Sequence, residues 1–322
     1  MSLLSPSCTA AAPPPEHVAV PVQGVRDLAV RLLVARSVFE FDAGTVAQRM
    51  IEADQFGLPQ AGIATLPGTL DCMAAGDVDP RARVLTLQET PAIAVLDGSR
   101  ALGQVAMTKA VQVAAAKARQ IGTATVAVSN SQAIGAPSLY TRLAVAEGFI
   151  AFCTTSTGGA TVAPCGCQEP GTASHPLSWA IPTKHGPVVT EGTTCELIDE
   201  DPEGNMLGFG LSFVMSVLAG PLSAGRMPLH KTRTASADGS QHFLYLIDPN
   251  HFADMMRFER EVGMTTAELK SLPPAPGIDR VRLPGEREAE RARQWQETIP
   301  LAPETVAELR RRAEEKKIAI DW

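Results

Sequence analysis

Leu102–Gln120, LGQVAMTKAVQVAAAKARQ, followed by Gly122 and by TATVAV over Thr123–Val128, decides the fold class. In the first piece apolar residues recur on one face at helical spacing, alanine dominates, and a glycine stands where a helix stops. The second is a short apolar run that reads as a buried strand. A helix that passes through a glycine straight into a buried strand is an α/β unit. Working outward, Leu139–Glu147 reads as a helix and Phe149–Thr154 as a strand, while Val84–Gly98 holds two strand candidates, the second (AIAVLDG) ending in a turn signal.

Farther out the pattern changes. Gly24–Gly57 is a helical head, with Val25, Leu28, Leu32 and Ala35 at spacings of three and four and Asp42 placed to cap the run that ends at Gly57. Past Gly158 the chain is loop-rich up to Trp179–Pro182, and long polar loops on an α/β scaffold usually form the site. Leu211–Leu218 reads as an apolar helix, His242–Asp248 as a strand and Ala302–Lys317 as a charged terminal helix. Met1–Val20, rich in Ser, Ala and Pro, reads as a disordered or extended tail. The expected organisation is that tail over 1–20, a helical part over 21–85 packing with 230–322, an α/β cofactor-binding domain over 86–229, and a C-terminal strand and helices over 230–322.

The 322 residues, 45% hydrophobic and 20% charged, match a folded globular chain. A net charge of -7 excludes a nucleic-acid partner, which needs a surplus of cations on one face. The basic cluster Arg310–Lys317 is interrupted by glutamates and reads as a solvated helix face. No run of about 18 consecutive apolar residues points to a membrane span, and no signal peptide is evident, so a reducing cytoplasm is expected. Six cysteines in a chain of this length make no disulfide framework. The pair Cys165 and Cys167 supplies two ligands at most, so no metal is expected.

Ten short stretches, in one order and at consistent spacing, carry a resemblance: ADQFG (53–57), LGQVAM (102–107), NSQAIG (130–135), EGF (147–149), VAPCG (162–166), HPL (175–177), GFGL (208–211), IDP (247–249), PPAPG (273–277) and LPGERE (283–288). Together they resemble the type-two malate/L-lactate dehydrogenase family, which includes L-sulfolactate, ureidoglycolate and cyclic-imino-acid enzymes. The resemblance covers roughly Val25–Ile318. It implies an α/β, L-sulfolactate dehydrogenase-like fold: a mostly antiparallel mixed sheet with a non-Rossmann dinucleotide site and helical N- and C-terminal parts. It also implies NAD or NADP as cofactor, a small-molecule substrate, and a site completed across a homodimer.

The same resemblance locates site residues. Asn130, Ser131, Thr157, Pro164, Glu191, Gly192, Thr193, Pro284, Gly285 and Glu286 fall on the family's cofactor-contact elements, and Glu191 stands where a carboxylate accepts from ribose hydroxyls. Reduction of a carbonyl or imine needs a positioned acid, and the family places histidines in a Ser-His-Gly element and before the glycine of an N-S-N-H-x-G element. Here those positions are Ala61 and Ala133, while the family's carboxylate-pairing arginine falls on Thr65 and a family lysine on Leu207. The stretch after Glu191–Thr194 is also some thirty residues shorter than the family pattern. A histidine and a tyrosine remain as candidate acids: His175, in a site loop, and Tyr140, a half-buried aromatic at a helix start.

Two functional expectations follow. One is an NAD(P)H-dependent oxidoreductase acting on an imine or 2-oxo-acid-like substrate. The other is a non-redox enzyme (lyase, isomerase or cyclase) or a catalytically silent binding subunit on the same fold.

Overall fold

The computed structural model describes residues 17–197, 206–231 and 235–322. The element order is β1 (Val18–Pro21), α1 (Val22–Val34), α2 (Glu40–Gln55), α3 (Leu66–Ala75), β2 (Leu85–Glu89), β3 (Ile93–Ala101), α4 (Gly103–Ile121), β4 (Thr123–Ser131), α5 (Ser138–Ala146), β5 (Ile150–Thr157), β6 (Pro176–Ile181), β7 (Val188–Thr193), α6 (Met206–Leu218), the one-turn α7 (Ala235–Asp238), β8 (Ser240–Ile247), α8 (Met255–Ser271), α9 (Glu286–Gln294), β9 (Thr298–Leu301) and α10 (Pro303–Glu315). Seven strands form one sheet in the order β2-β3-β4-β8-β5-β6-β7. Only β3 and β4 run parallel; every other neighbouring pair is antiparallel. The expected mostly antiparallel mixed sheet is therefore present.

The stretch that decided the fold class builds the centre. Ala106, Ala110, Ala114 and Ala118 of α4 are all fully buried against the sheet. Side chains this small let the helix axis lie close to the strands. Beyond the helix, Gly122 takes a left-handed conformation (φ +92°) and turns the chain into β4. Strand period two then sorts the side chains. Val126 and Val128 of β4, Leu244 and Leu246 of β8, and Ala151 and Cys153 of β5 face the core under α4 and α5. Phe152 of β5 and Phe243 of β8 point to the opposite face, where Met215 of α6 covers them.

A second core joins the chain's two ends. β1 pairs antiparallel with β9, and Val25, Leu28 and Leu32 of α1 share a buried cluster with Met50 of α2, Ile299 of β9 and Leu309 of α10.

Several expectations need correction. The tail read over Met1–Val20 lies outside the described residues up to residue 16, but Val18–Val20 are strand because β9 offers them a ladder. Asp42 does not cap α2, which starts at Glu40 after Phe39; it sits in the first turn. The boundary drawn at residue 230 falls beside a strand of the central sheet, since β8 lies between β4 and β5.

The loop-rich reading past Gly158 missed β6 and β7, and of the helices expected over 230–322 only the last had bounds, so α8 and α9 were not placed. α8 is capped by Asp254, whose carboxylate accepts from the Arg257 N–H at 2.9 Å, and Thr266 is its only buried residue. Met206–Ser223 is apolar enough, by length and composition, to pass as a membrane span. Within it, α6 takes the described residues Met206–Leu218 and a 3-10 turn follows at Pro221–Ser223. Its Ser212 and Ser216 hydroxyls bond to Thr172 and His175 inside the protein.

Candidate active site

The strands β4, β8, β5, β6 and β7 all end on one side of the sheet, where the register aligns Ser131 with Ser240 and Ser240 with Thr157. The same end carries Pro176 opposite Thr193. Ser131 therefore lies four strand spacings from Thr193, about 19 Å at 4.8 Å per strand.

This rim is tied together by hydroxyl and imidazole groups. The Ser131 hydroxyl lies 2.6 Å from Nε2 of His242, whose Nδ1 lies 2.8 Å from the Thr155 hydroxyl. Thr157 and Ser240 share a hydrogen bond of 2.8 Å between their hydroxyls. His242 is fully buried, and desolvation with help from the Lys231 charge pushes its pKa down to about 3. It is a neutral ring inside the sheet, and sequence reasoning did not single it out. Its place in strand β8 was the available signal, since period two from Leu244 and Leu246 puts it in the core.

His175, the expected acid, is also fully buried. Nδ1 lies 3.3 Å from the Thr155 carbonyl and Nε2 lies 2.7 Å from the Ser216 hydroxyl, so the carbonyl fixes the tautomer with the proton on Nδ1 and Ser216 donates to Nε2. Burial pushes its pKa down to about 4. Both nitrogens thus serve the packing of α6 on the sheet, a correction to the expected role. Tyr140 is corrected in the same way. It is fully buried rather than half-buried, its hydroxyl donates to the Ile134 carbonyl at 2.7 Å, and desolvation raises its pKa well above the usual phenol value.

Ala61 and Ala133 lie on two loops that meet. A methyl on Gly135 would come within 3.2 Å of the Ala61 Cβ, and Gly135 needs its freedom because its φ is +79°. The carboxylate of Asp54 fixes the first loop by accepting the Ile63 N–H at 2.8 Å, and burial pushes its pKa up to about 7. Thr65 turns inward on its own loop, donating to the Gly62 carbonyl at 2.7 Å. Leu207 is exposed on α6.

The remaining candidates form two groups. Asn130, in a left-handed conformation (φ +50°), donates its side-chain amide to Asp97 at 3.0 Å beside Ser131 and Thr157 on the rim. Pro164 heads the turn that closes with the Cys167 N–H donating to its carbonyl, in the loop leading to β6. On β7, Glu191 is exposed as a residue, yet its carboxylate turns back over α5 and accepts the Ser138 N–H at 2.7 Å. Loss of water around that carboxylate raises its pKa to about 7, against the lowering from Ser138 and Arg142. The Thr193 N–H donates to Glu196, whose carboxylate also passes close to Gly192.

The second group reaches β7 from behind. The Val189 N–H donates to the Pro284 carbonyl at 3.0 Å, and Gly285 (φ +87°) comes so close that a Cβ there would sit 3.0 Å from Val189. Glu286 begins α9 and accepts from Lys270 at 2.6 Å. Val189 is four residues from Thr193, about 13 Å along the strand.

Against this second group lies a cavity of about 750 Å³ lined by Phe56, His185, Lys270, Arg280, Gly285 and Arg293 among others. Its size is that of a cofactor cleft; Lys270 and Arg280 are paired with the lining carboxylates Glu286 and Glu290, and Arg293 with the backbone-tight Gly285 stands beside them. The lining comes from Phe56, the β6–β7 turn, α8, α9 and the segment between those helices, and the fit of a phosphate-bearing cofactor to it rests on Gly285 and Arg293. No group of three or more His, Cys, Asp or Glu suited to a metal occurs among the described residues.

Comparison with known proteins accords with this architecture. The chain matches the family described as malate/L-lactate dehydrogenase over residues 20–197 and 189–310. It is 27% identical to the malate dehydrogenase of Pyrococcus abyssi, over 84% of this chain and 87% of that one. With the malate/(S)-sulfolactate dehydrogenase of Methanothermus fervidus it shares 26% identity over 92% and 98% of the two chains. The solved malate dehydrogenase of Pyrococcus horikoshii superposes with a TM-score of 0.86 at 26% identity, covering 94% of this chain and 97% of that one. With the family profile spanning most of its length and the overall fold shared with a solved malate dehydrogenase, the chain belongs to the malate/L-lactate dehydrogenase family of oxidoreductases.

Proposed function

We propose that the protein is an NAD(P)-dependent oxidoreductase acting on an imine or 2-oxo-acid-like small substrate, without the two histidines used elsewhere in its family. The observation that carries this reading is the 750 Å³ cavity beside Gly285 and Glu286, with Lys270, Arg280 and Arg293 on its walls. In this reading Pro284–Glu286 and Glu191–Thr193 hold the dinucleotide along β7, with Asn130, Ser131, Thr157 and Pro164 toward the rim. The bound nicotinamide supplies a hydride.

The chain's own residues set limits on the substrate. Ala61 and Ala133 carry no proton, His175 and His242 are neutral and buried, and Thr65 cannot form an arginine fork. A substrate that arrives protonated, as an iminium does, needs no strong acid from the protein. A homodimer is part of the same proposal, as is a cytoplasmic setting. The alternative, a non-redox enzyme or binding subunit, is favoured by the alanines at both histidine positions.

The test is titration of the purified protein with NADH and with NADPH, read by quenching of Trp179. This residue is 41% exposed, and its ring centroid lies 4.8 Å from that of Phe152 at a tilt of 42°. Saturable micromolar binding, weakened several-fold by Arg293→Gln, is expected. Absence of binding by both reduced and both oxidised dinucleotides would leave the non-redox reading.

A further inference from the structure

At the N-terminal end of α2 lies a cavity of about 470 Å³, bounded by the start of that helix, the run into β2 and α4. Phe39, Phe41 and Asp42 line it from the first segment, Arg83 from the second and Lys109 from the third. The cavity proposed for the dinucleotide meets α2 at Phe56, just past the helix's other end. The 16 residues of α2 separate the two by about 24 Å at 1.5 Å per residue, and they share no lining residue.

The charged side chains around this cavity stand without partners. Of the three cations on α4, Lys117 pairs with Glu89 and Arg119 with Glu147, while Lys109 has no carboxylate partner among the described residues. The Arg83 guanidinium has none either, and the Asp42 carboxylate accepts no hydrogen bond among those residues. Arg83 and Lys109 are exposed and Asp42 is half-buried, so all three remain within a ligand's reach. Lost water raises the Asp42 pKa, and no donor draws it back. Asp42 also forms no ion pair with either cation, so the opposite charges stand apart within the one cavity. The remaining feature is aromatic. Phe39 is 46% exposed and has the Arg81 guanidinium 5.7 Å over its ring, whereas Phe41 is 81% exposed and makes no ring contact among the described residues.

Each group selects one part of a ligand. An open phenyl face takes a flat ring by stacking. An arginine and a lysine together suit a phosphate. A carboxylate only accepts, so it favours the base whose edge offers the most adjacent donors. Guanine offers two, N1–H and N2–H, one to each carboxylate oxygen; adenine and cytosine offer one amine beside a ring acceptor. In a nucleotide the ribose holds the base edge away from the phosphate, which matches an anion and cations that do not reach each other. The volume is within the range of small-molecule sites. We propose that this cavity is a binding site for a guanine mononucleotide, with the base stacked on Phe41 and held at its edge by Asp42, and the phosphate held by Arg83 and Lys109.

The test is isothermal titration calorimetry on the full chain without any dinucleotide, so that its result is independent of the oxidoreductase reading. The probe is GMP, with AMP as the control for the base and guanosine as the control for the phosphate. Saturable GMP binding is expected, with AMP and guanosine each at least tenfold weaker. Phe41→Ala, at a position too exposed to endanger folding, should weaken GMP binding at least tenfold, and Arg83→Gln and Lys109→Gln several-fold each. Asp42→Asn should weaken GMP binding until AMP binds as well. The proposal is overturned if GMP does not bind, if AMP binds the parent as tightly as GMP does, or if folded Phe41→Ala and Arg83→Gln proteins bind GMP as the parent does.

Discussion

Replacing Asp54 by asparagine should make the protein more stable at pH 8 and leave its stability near pH 4 almost unchanged. The carboxyl is 5% exposed, and its pKa stands at about 7 against the ordinary 3.8 of a free aspartate, because desolvation outweighs the hydrogen bond from Ile63. Between those values the folded protein holds a proton that the unfolded chain has released. Stability therefore falls as pH rises through that window, and the loss is complete above pH 7. The difference of 7 - 3.8 = 3.2 pH units corresponds to about 4 kcal/mol at 1.36 kcal/mol per unit, an upper figure for one buried group. Asparagine keeps an oxygen for the Ile63 N–H and does not titrate.

Urea denaturation of both proteins at pH 4, 5, 6, 7 and 8 gives the stability difference at each pH. The difference should grow from near zero to a plateau of a few kcal/mol between pH 4 and 8. Other titrating groups act on both proteins alike and cancel. A difference that is constant across the series, or that shrinks as pH rises, would refute the reasoning.

His175 and His242 should act in the opposite sense. Their folded pKa values, about 4 and about 3, lie below the 6.5 of a free imidazole. Their stabilisation is full above pH 6.5 and is lost as pH falls toward those values, so a His242→Gln protein that still folds should show a shallower acid limb in the same assay. Tyr140→Phe should cost about 1 kcal/mol for the lost bond to Ile134. If Tyr140 served as the proton donor, kcat would also fall by orders of magnitude; the burial of its hydroxyl predicts no such fall with any substrate found.

The fold was legible where local signals and burial agree. The alanine face of α4, the glycine after it and the apolar runs of β4 and β8 each have one plausible home. β6 and β7 were not legible, because β7 (VVTEGT) sits at the sheet edge with only Val189 fully buried, and edge strands need no apolar alternation. α8 escaped for a similar reason: its stability comes from a cap and from charges on an exposed surface. At the site, the ordered motifs led to Pro284–Glu286 and Glu191–Thr193, which lie together along β7. What a sequence cannot give is how deep a side chain sits. His175 and Tyr140 were the right residue types for acid chemistry, yet both are sealed in the core, while Arg83 and Lys109 carried no motif at all.

The strand order has a consequence for how the chain is made. β8 belongs between β4 and β5, but on the ribosome it follows the end of β5 by 83 residues, from Thr157 to Ser240. At about 5–20 residues per second, roughly 4–17 s pass with β4 and β5 both synthesised and their facing edges still without the strand that joins them. Two apolar strand edges exposed together invite pairing with other nascent chains. A chain stopped short of residue 240 keeps them open, so truncation products should aggregate even though they contain six of the seven strands of the sheet.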